Sequence, residues 1–156
     1  MLTRNSLLII DDSAVNRMIL AKLLSGSYNI IEAANGEEAL RELSERSGSI
    51  ACMILDLVMP VMDGFEFMRE ISKTDEYKNI PILVATSDKE QGSEKECLEL
   101  GAWDFVQKPY DGAILKLRLN NIISRSRINV LEEIKRASEH DPMTGLYNRK
   151  KFYEVT

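Results

Sequence analysis

Short apolar runs ending on an acid, a hydroxyl or a lysine alternate along this chain with stretches of helical spacing. Leu7-Leu8-Ile9-Ile10 is followed at once by Asp11-Asp12, and Ala51 to Leu55 by Asp56. Ile82-Leu83-Val84-Ala85 leads into Thr86-Ser87, and Asp104-Phe105-Val106-Gln107 into Lys108-Pro109. Tyr28 to Glu32 is a further short strand. Apolar runs of this length predict buried strands of a parallel sheet.

Between the strands the spacing turns helical. Ser13 to Ser25 carries Val15, Met18, Ile19, Ala21, Leu23 and Leu24 at helical intervals. Asn35 is an N-cap with an acid three residues on, opening a helix to about Arg46 that buries Ala39, Leu40 and Leu43. Asp63-Gly64-Phe65-Glu66 opens another, ending near Lys73, with Phe65, Met68 and Ile71 inward. Asp88 caps a helix that runs to Leu100 and stops at Gly101, and Asp111 caps the last one.

Five β-α units of this kind predict a doubly wound α/β fold: a five-stranded parallel sheet with right-handed crossovers and helices on both faces. The flavodoxin-like order 2-1-3-4-5 is taken from the common arrangement of such sheets, not from the spacing of these strands. The last helix is longer than the fold needs. No proline or glycine interrupts it from Gly112 to about Glu139, roughly 40 Å at ~1.5 Å per residue. Ile114, Leu115, Leu117, Leu119, Ile122 and Ile123 make its first half apolar enough to pack on the sheet. Beyond them Val130, Ile134 and Ala137 suggest a weak two-stranded coil, with a solvated terminal helix as the alternative.

Composition narrows the class. At 156 residues, 44% apolar and 29% charged, the chain suits one core and a short remainder. A net charge of −5 argues against a nucleic-acid surface. No apolar run approaches the ~20 residues of a membrane span, and Met1 to Ser6 lacks a signal-peptide pattern. Cys52 and Cys97 have no metal-ligand spacing and are expected as reduced core thiols. The expected location is cytoplasmic, with no nucleic-acid or membrane partner.

The strand ends carry the chemistry, because ligands of open α/β sheets bind outside the carboxyl ends of the strands. Asp11 and Asp12 can hold Mg²⁺ with Asp56 supplying a further oxygen, in the hard, oxygen-only coordination this ion prefers. Asp56 is then a carboxylate nucleophile toward a phosphoryl group, with Lys108 and the Thr86 hydroxyl positioned for its other oxygens. Each residue alone is ordinary: strand-terminal aspartates are commonly turn formers, and lysines commonly solvated. It is the chain order of acid pair, acid, hydroxyl and Lys-Pro that points to phosphoryl transfer.

With these residues in that order, Met1 to about Asn121 resembles a response-regulator receiver domain of bacterial two-component signalling. The resemblance rests on Asp11-Asp12, on Asp56 within Asp-Leu-Val-Met-Pro-Val-Met-Asp-Gly, on Thr86, on Gly101-Ala102 and on Lys108-Pro109. It implies phosphorylation of Asp56 by a sensor histidine kinase or phosphotransfer protein. It also implies Mg²⁺ held by Asp11, Asp12, Asp56 and the Val58 backbone carbonyl, a Lys108–Pro109 peptide that is often cis, and a Thr86–Phe105 switch. Phe105 as a plain core aromatic is the alternative. Ser87 departs from the family's usual alanine or glycine, which bears on dephosphorylation.

The tail holds a second motif. Asp141-Pro142-Met143-Thr144-Gly145-Leu146-Tyr147-Asn148-Arg149 is similar to the opening of GGDEF-type diguanylate cyclase domains, which make cyclic di-GMP. The glycine-rich signature loop of that family is absent from these residues. The expected organisation is a receiver over 1–121, a helical linker over 122–140 and the start of a GGDEF domain over 141–156. This chain is then a phosphoacceptor, not an enzyme, controlling a cyclase through a homodimer formed on phosphorylation. A free-standing interaction module and a transcription factor are the competing outputs.

Overall fold

The structure, a computed structural model, describes residues 5–87 and 94–139, with side chains through residue 126. Five parallel strands form one sheet: β1 (Ser6–Ile10), β2 (Asn29–Ala33), β3 (Ile50–Asp56), β4 (Ile82–Thr86) and β5 (Asp104–Gln107). Their order is β2-β1-β3-β4-β5, as expected, with β2 and β5 at the edges. The helices are α1 (Ala14–Leu24), α2 (Gly36–Arg46), α3 (Gly64–Ile71), α4 (Asp75–Lys78), α5 (Glu94–Leu100) and α6 (Gly112–Glu139). The one-turn α4 is not announced by any periodicity. The chain divides into two units after Ile123, and the whole sheet belongs to the first.

Alternate residues along each strand face opposite layers. Leu8, Ile10, Leu55 and Val84 pack with Ala39, Leu43, Phe67, Met68 and Cys97 on one side. Leu7, Ile9, Ile54 and Leu83 pack with Leu20, Leu24, Leu115 and Leu119 on the other. Every residue of β1, β3 and β4 is buried, which explains their unbroken apolar spelling. Cys52 and Cys97 are free and buried, and burial pushes the Cys52 thiol well up.

The expected caps at Asn35 and Asp63 form: Asn35 accepts from the Glu38 amide, and Asp63 makes a reciprocal capping box with Glu66, while Ser13, not expected as a cap, accepts from the Asn16 amide. Such caps contribute about 1 kcal/mol each. Gly101, at φ +114°, ends α5. The inferred Asp88 cap and the coil residues after Arg127 lie outside the described residues and side chains.

Three helix faces differ from their spacing. Val15, Met18 and Ile19 of α1 are exposed, while Leu20 carries the contact with the sheet. On α3 the fully buried ring is Phe67, and Phe65 is only partly covered. Ile114 and Leu117 of α6 face outward, leaving Leu115, Leu119, Ile122 and Ile123 to pack. Apolar spacing marks a helix, but each of these residues has another apolar residue one or two positions away, so spacing leaves the inward side ambiguous.

Candidate functional site

The carboxyl ends of β1, β3, β4 and β5 meet at one rim. Asp56, the last residue of β3, is 3% exposed and Asp11, just past β1, is 2% exposed, while Asp12 is exposed. One carboxylate oxygen from each of Asp11, Asp12 and Asp56 lies within 4.8 Å of the others. Lys108 reaches in from beyond β5, its Nζ 2.9 Å from Asp56 Oδ1 and 3.8 Å from Asp11 Oδ2. Sequence reasoning brought these four together, and the fold does so.

Asp11 is held at every polar atom. Its N–H donates to the Ala33 carbonyl at 3.0 Å. Oδ1 accepts from the Ser13 amide at 2.9 Å, and Oδ2 from Asn16 Nδ2 at 3.3 Å. Arg17 Nη1 donates to the Asp11 carbonyl at 2.7 Å. Burial, and then the nearby Asp56 charge, raise the Asp11 carboxyl above its ordinary range against the opposing pull of the Ser13 amide. Asn16 and Arg17 escaped the sequence reading; their signal was a pair of polar residues on the side of α1 that Leu20 and Leu24 continue.

Thr86 is buried at the end of β4 and pairs in register with Gln107. The Lys108 amide donates to the Thr86 carbonyl at 2.7 Å, so hydroxyl and ammonium share one backbone anchor. The Lys108–Pro109 peptide is cis. Phe105 is partly buried, and it lines, with Thr86, Lys108, Asp104, Ile114 and Arg118, a hollow of about 690 Å³. Ser87 lines the same hollow. Val58 lies exposed in the loop after β3.

That loop is packed tightly behind Asp56. A Cβ on Gly64 would lie 2.7 Å from the Asp56 carbonyl oxygen and 2.8 Å from Leu57 Cα. The Gly64 amide donates to the Leu57 carbonyl at 3.0 Å, closing the loop. Only glycine lets the start of α3 come so close.

Three carboxylates face one ammonium here, all donors are hard oxygens, and the acid with the raised pKa is buried. That donor set fits a divalent cation with waters in its remaining positions. Among the described residues no helix is long and apolar enough to cross a membrane.

A family model for the response regulator receiver domain matches residues 7–120. The transcriptional regulatory protein SrrA of Staphylococcus aureus is 33% identical over 130 residues, 83% of this chain and 52% of SrrA. The chain thus spans about half the length of the curated relatives it matches. The receiver domain of sensor histidine kinase PA1611 from Pseudomonas aeruginosa, with a magnesium ion coordinated in its active-site cleft, matches with a TM-score of 0.70 and 27% identity, over 77% of this chain and 98% of that one. A probable two-component system response regulator/GGDEF domain protein matches with a TM-score of 0.73 over 80% of this chain and 51% of that one; at 23% identity this is a likeness of fold alone.

Proposed function

From the premise that this chain belongs to the response-regulator receiver family, and is therefore a phosphoacceptor module, we propose that Asp56 is its acceptor. The observation that carries this is the buried Asp56 carboxylate, 2.9 Å from Lys108 Nζ and inside the Asp11–Asp12 cluster. An Asp56 oxygen forms the new bond to phosphorus. The bond from phosphorus to the donor breaks, and its electron pair leaves with the donor.

Asp11, Asp12 and Asp56, with the Val58 carbonyl, would hold Mg²⁺, which when bound supplies positive charge beside the phosphoryl oxygens. Lys108 pairs with one of those oxygens and Thr86 donates its hydroxyl to another. Receivers partner with histidine kinases, and one such kinase or a phosphotransfer protein is the donor here. Thr86 moving toward the new phosphoryl group leaves room for Phe105 to turn inward beside the hollow at β5. Incubation with a small phosphodonor and Mg²⁺ tests the acceptor: wild type takes up one phosphate and Asp56→Asn takes up none. Equal incorporation by the two would overturn the assignment.

For the whole protein we propose receiver residues 1–121, a helical linker over 122–140 and a diguanylate cyclase beginning at 141–156, activated by phosphorylation-driven dimerisation. The Asp141 to Arg149 motif, outside the described residues, supports this output. The SrrA similarity favours a second reading, a transcription-factor output. The coding sequence after Thr156 decides: a GGDEF loop supports the first, and a DNA-binding domain the second.

A further inference from the structure

Asn16 and Arg17 of α1 have no part in the chemistry just described, yet both lie on the flank of the helix that Leu20 and Leu24 continue into the core. Polar residues placed there forgo apolar contact and persist where their hydrogen bonds compensate. Arg17 has two partners. Its Nη1 donates to the Asp11 carbonyl at 2.7 Å, and its Nε to Glu32 Oε1 at 2.8 Å. The Arg17 side chain is 18% exposed and that of Glu32 48% exposed, so the guanidinium is enclosed and the outer acid fixes its orientation.

The carbonyl that Arg17 grips belongs to the peptide joining Asp11 to Asp12. Rotating that peptide swings both carboxylates. The other side of Asp11 is already fixed by the hydrogen bond its N–H donates to the carbonyl of Ala33, the neighbour of Glu32 on β2. The end of β2 thus holds the acid pair twice, once through backbone and once through Arg17. The Asp11 carbonyl lies outside the α1 ladder, whose first bond runs from the Arg17 amide to Ser13, so the guanidinium is its bonded donor.

We infer that Arg17, oriented by Glu32, is a positioning residue that sets the divalent-cation affinity of the Asp11–Asp12–Asp56 cluster by fixing the peptide between the two acids. This rests on the Mg²⁺-binding reading above. Its sign separates it from the simplest alternative. Arg17 is a cation beside a cation site, so a purely electrostatic role means that removing it tightens Mg²⁺. A positioning role means that removing it loosens Mg²⁺. A merely structural role lowers the melting temperature of the metal-free protein and leaves the affinity unmoved.

Mg²⁺ titration by calorimetry on the full 156-residue chain tests this, with metal-free melting followed in parallel. Outer-sphere partners of metal ligands typically set affinity by 10–100-fold, and Arg17→Ala is expected to weaken Mg²⁺ about tenfold. Arg17→Lys keeps the charge but cannot span both partners, and is expected to lose about threefold. Glu32→Gln keeps an acceptor for Nε and is expected to stay within about twofold of wild type. Unchanged or tighter binding by Arg17→Ala overturns the inference. Should that variant fail to fold, Arg17→Lys decides on the same criterion, because it preserves the charge. A wild type that binds Mg²⁺ beside variants that match it sinks this inference alone. A wild type that binds none sinks the site reading with it.

Discussion

The two sides of the crevice are built differently. On the acid side, Asp11 is bonded at all four polar atoms and Asp56 ends a fully buried central strand with Gly64 pressed against its carbonyl. On the other side, Thr86 and Lys108 are tied together by a backbone bond next to edge strand β5, where Phe105 is only partly covered beside a hollow of about 690 Å³. The first side is set before any ligand arrives, while the second has room to rearrange. A switch placed there can change its surface without disturbing the acids that start it.

Filling space on the acid side should therefore have the largest effect. Gly64→Ala places a methyl against two backbone atoms that have nowhere to go, and is expected to cost about 3 kcal/mol in urea unfolding, with phosphate uptake lost alongside. Gly36→Ala is the control. The three atoms nearest its Cβ would all belong to the Met62 side chain, the first at 2.7 Å, and the change is expected to cost under about 1 kcal/mol. Equal costs would mean that the acid side yields as readily as any other turn.

On the Thr86–Lys108 side, Lys108→Ala removes the ammonium 2.9 Å from Asp56. Phosphate uptake is expected to fall about 100-fold, the usual effect of losing one donor to a developing anion. Stability is expected to fall by only about 1–2 kcal/mol, because Lys108 is partly exposed and water replaces some of the bond. A rate loss that large with so small a stability loss would separate the roles of the two sides.

The fold was largely legible because β1, β3 and β4 are buried on both faces, so that each is spelled as an apolar run that breaks at its functional residue. Caps were legible for a local reason: Asn35, Asp63 and Asp111 each bond an amide two or three residues on. The inner face of α1 was not. Asn16 and Arg17 occupy its inward stripe in the service of Asp11, and Val15, Met18 and Ile19 lie outside. Helical spacing assumes that apolar means inward, and it misleads where a site takes the inward positions. Residues that act across the sheet, such as Glu32 on Arg17, leave no mark at any fixed interval.

The acid side carries the cost of its own rigidity. Asp11 is raised by burial first and by Asp56 second, so the folded protein holds that proton more tightly than the unfolded chain. Raising the pH from the ordinary carboxylate range through the raised value therefore costs stability, and the full cost is present above it. In EDTA at neutral pH, Asp11→Asn is expected to be about 1 kcal/mol more stable than wild type, an advantage that vanishes on acidification. Saturating Mg²⁺ should erase it as well, because the cation stabilises only a chain that binds it. A less stable variant in EDTA would mean that the Ser13 and Asn16 bonds outweigh the burial of charge.

The smallest effect belongs to the loop behind Asp56. Met62 N–H donates to the Pro60 carbonyl at 2.7 Å, a three-residue turn centred on Val61, whose φ is +69°. A β-branched residue at positive φ crowds its Cβ against the backbone, at a cost of about 1–2 kcal/mol. Val61 is 73% exposed, so no packing offsets that cost. Glycine takes a positive φ without that crowding, and Val61→Gly is expected to gain about 0.5–1 kcal/mol, seen as a melting temperature a few degrees higher, with phosphate uptake unchanged. Val61→Pro, whose ring fixes φ near −65°, is expected to destabilise by at least as much. If glycine stabilises the fold but slows phosphate uptake, the strain at Val61 helps to hold Asp56 in place, and the rigid side of the crevice extends through the whole loop to the Gly36–Met62 hydrogen bond that anchors its far end.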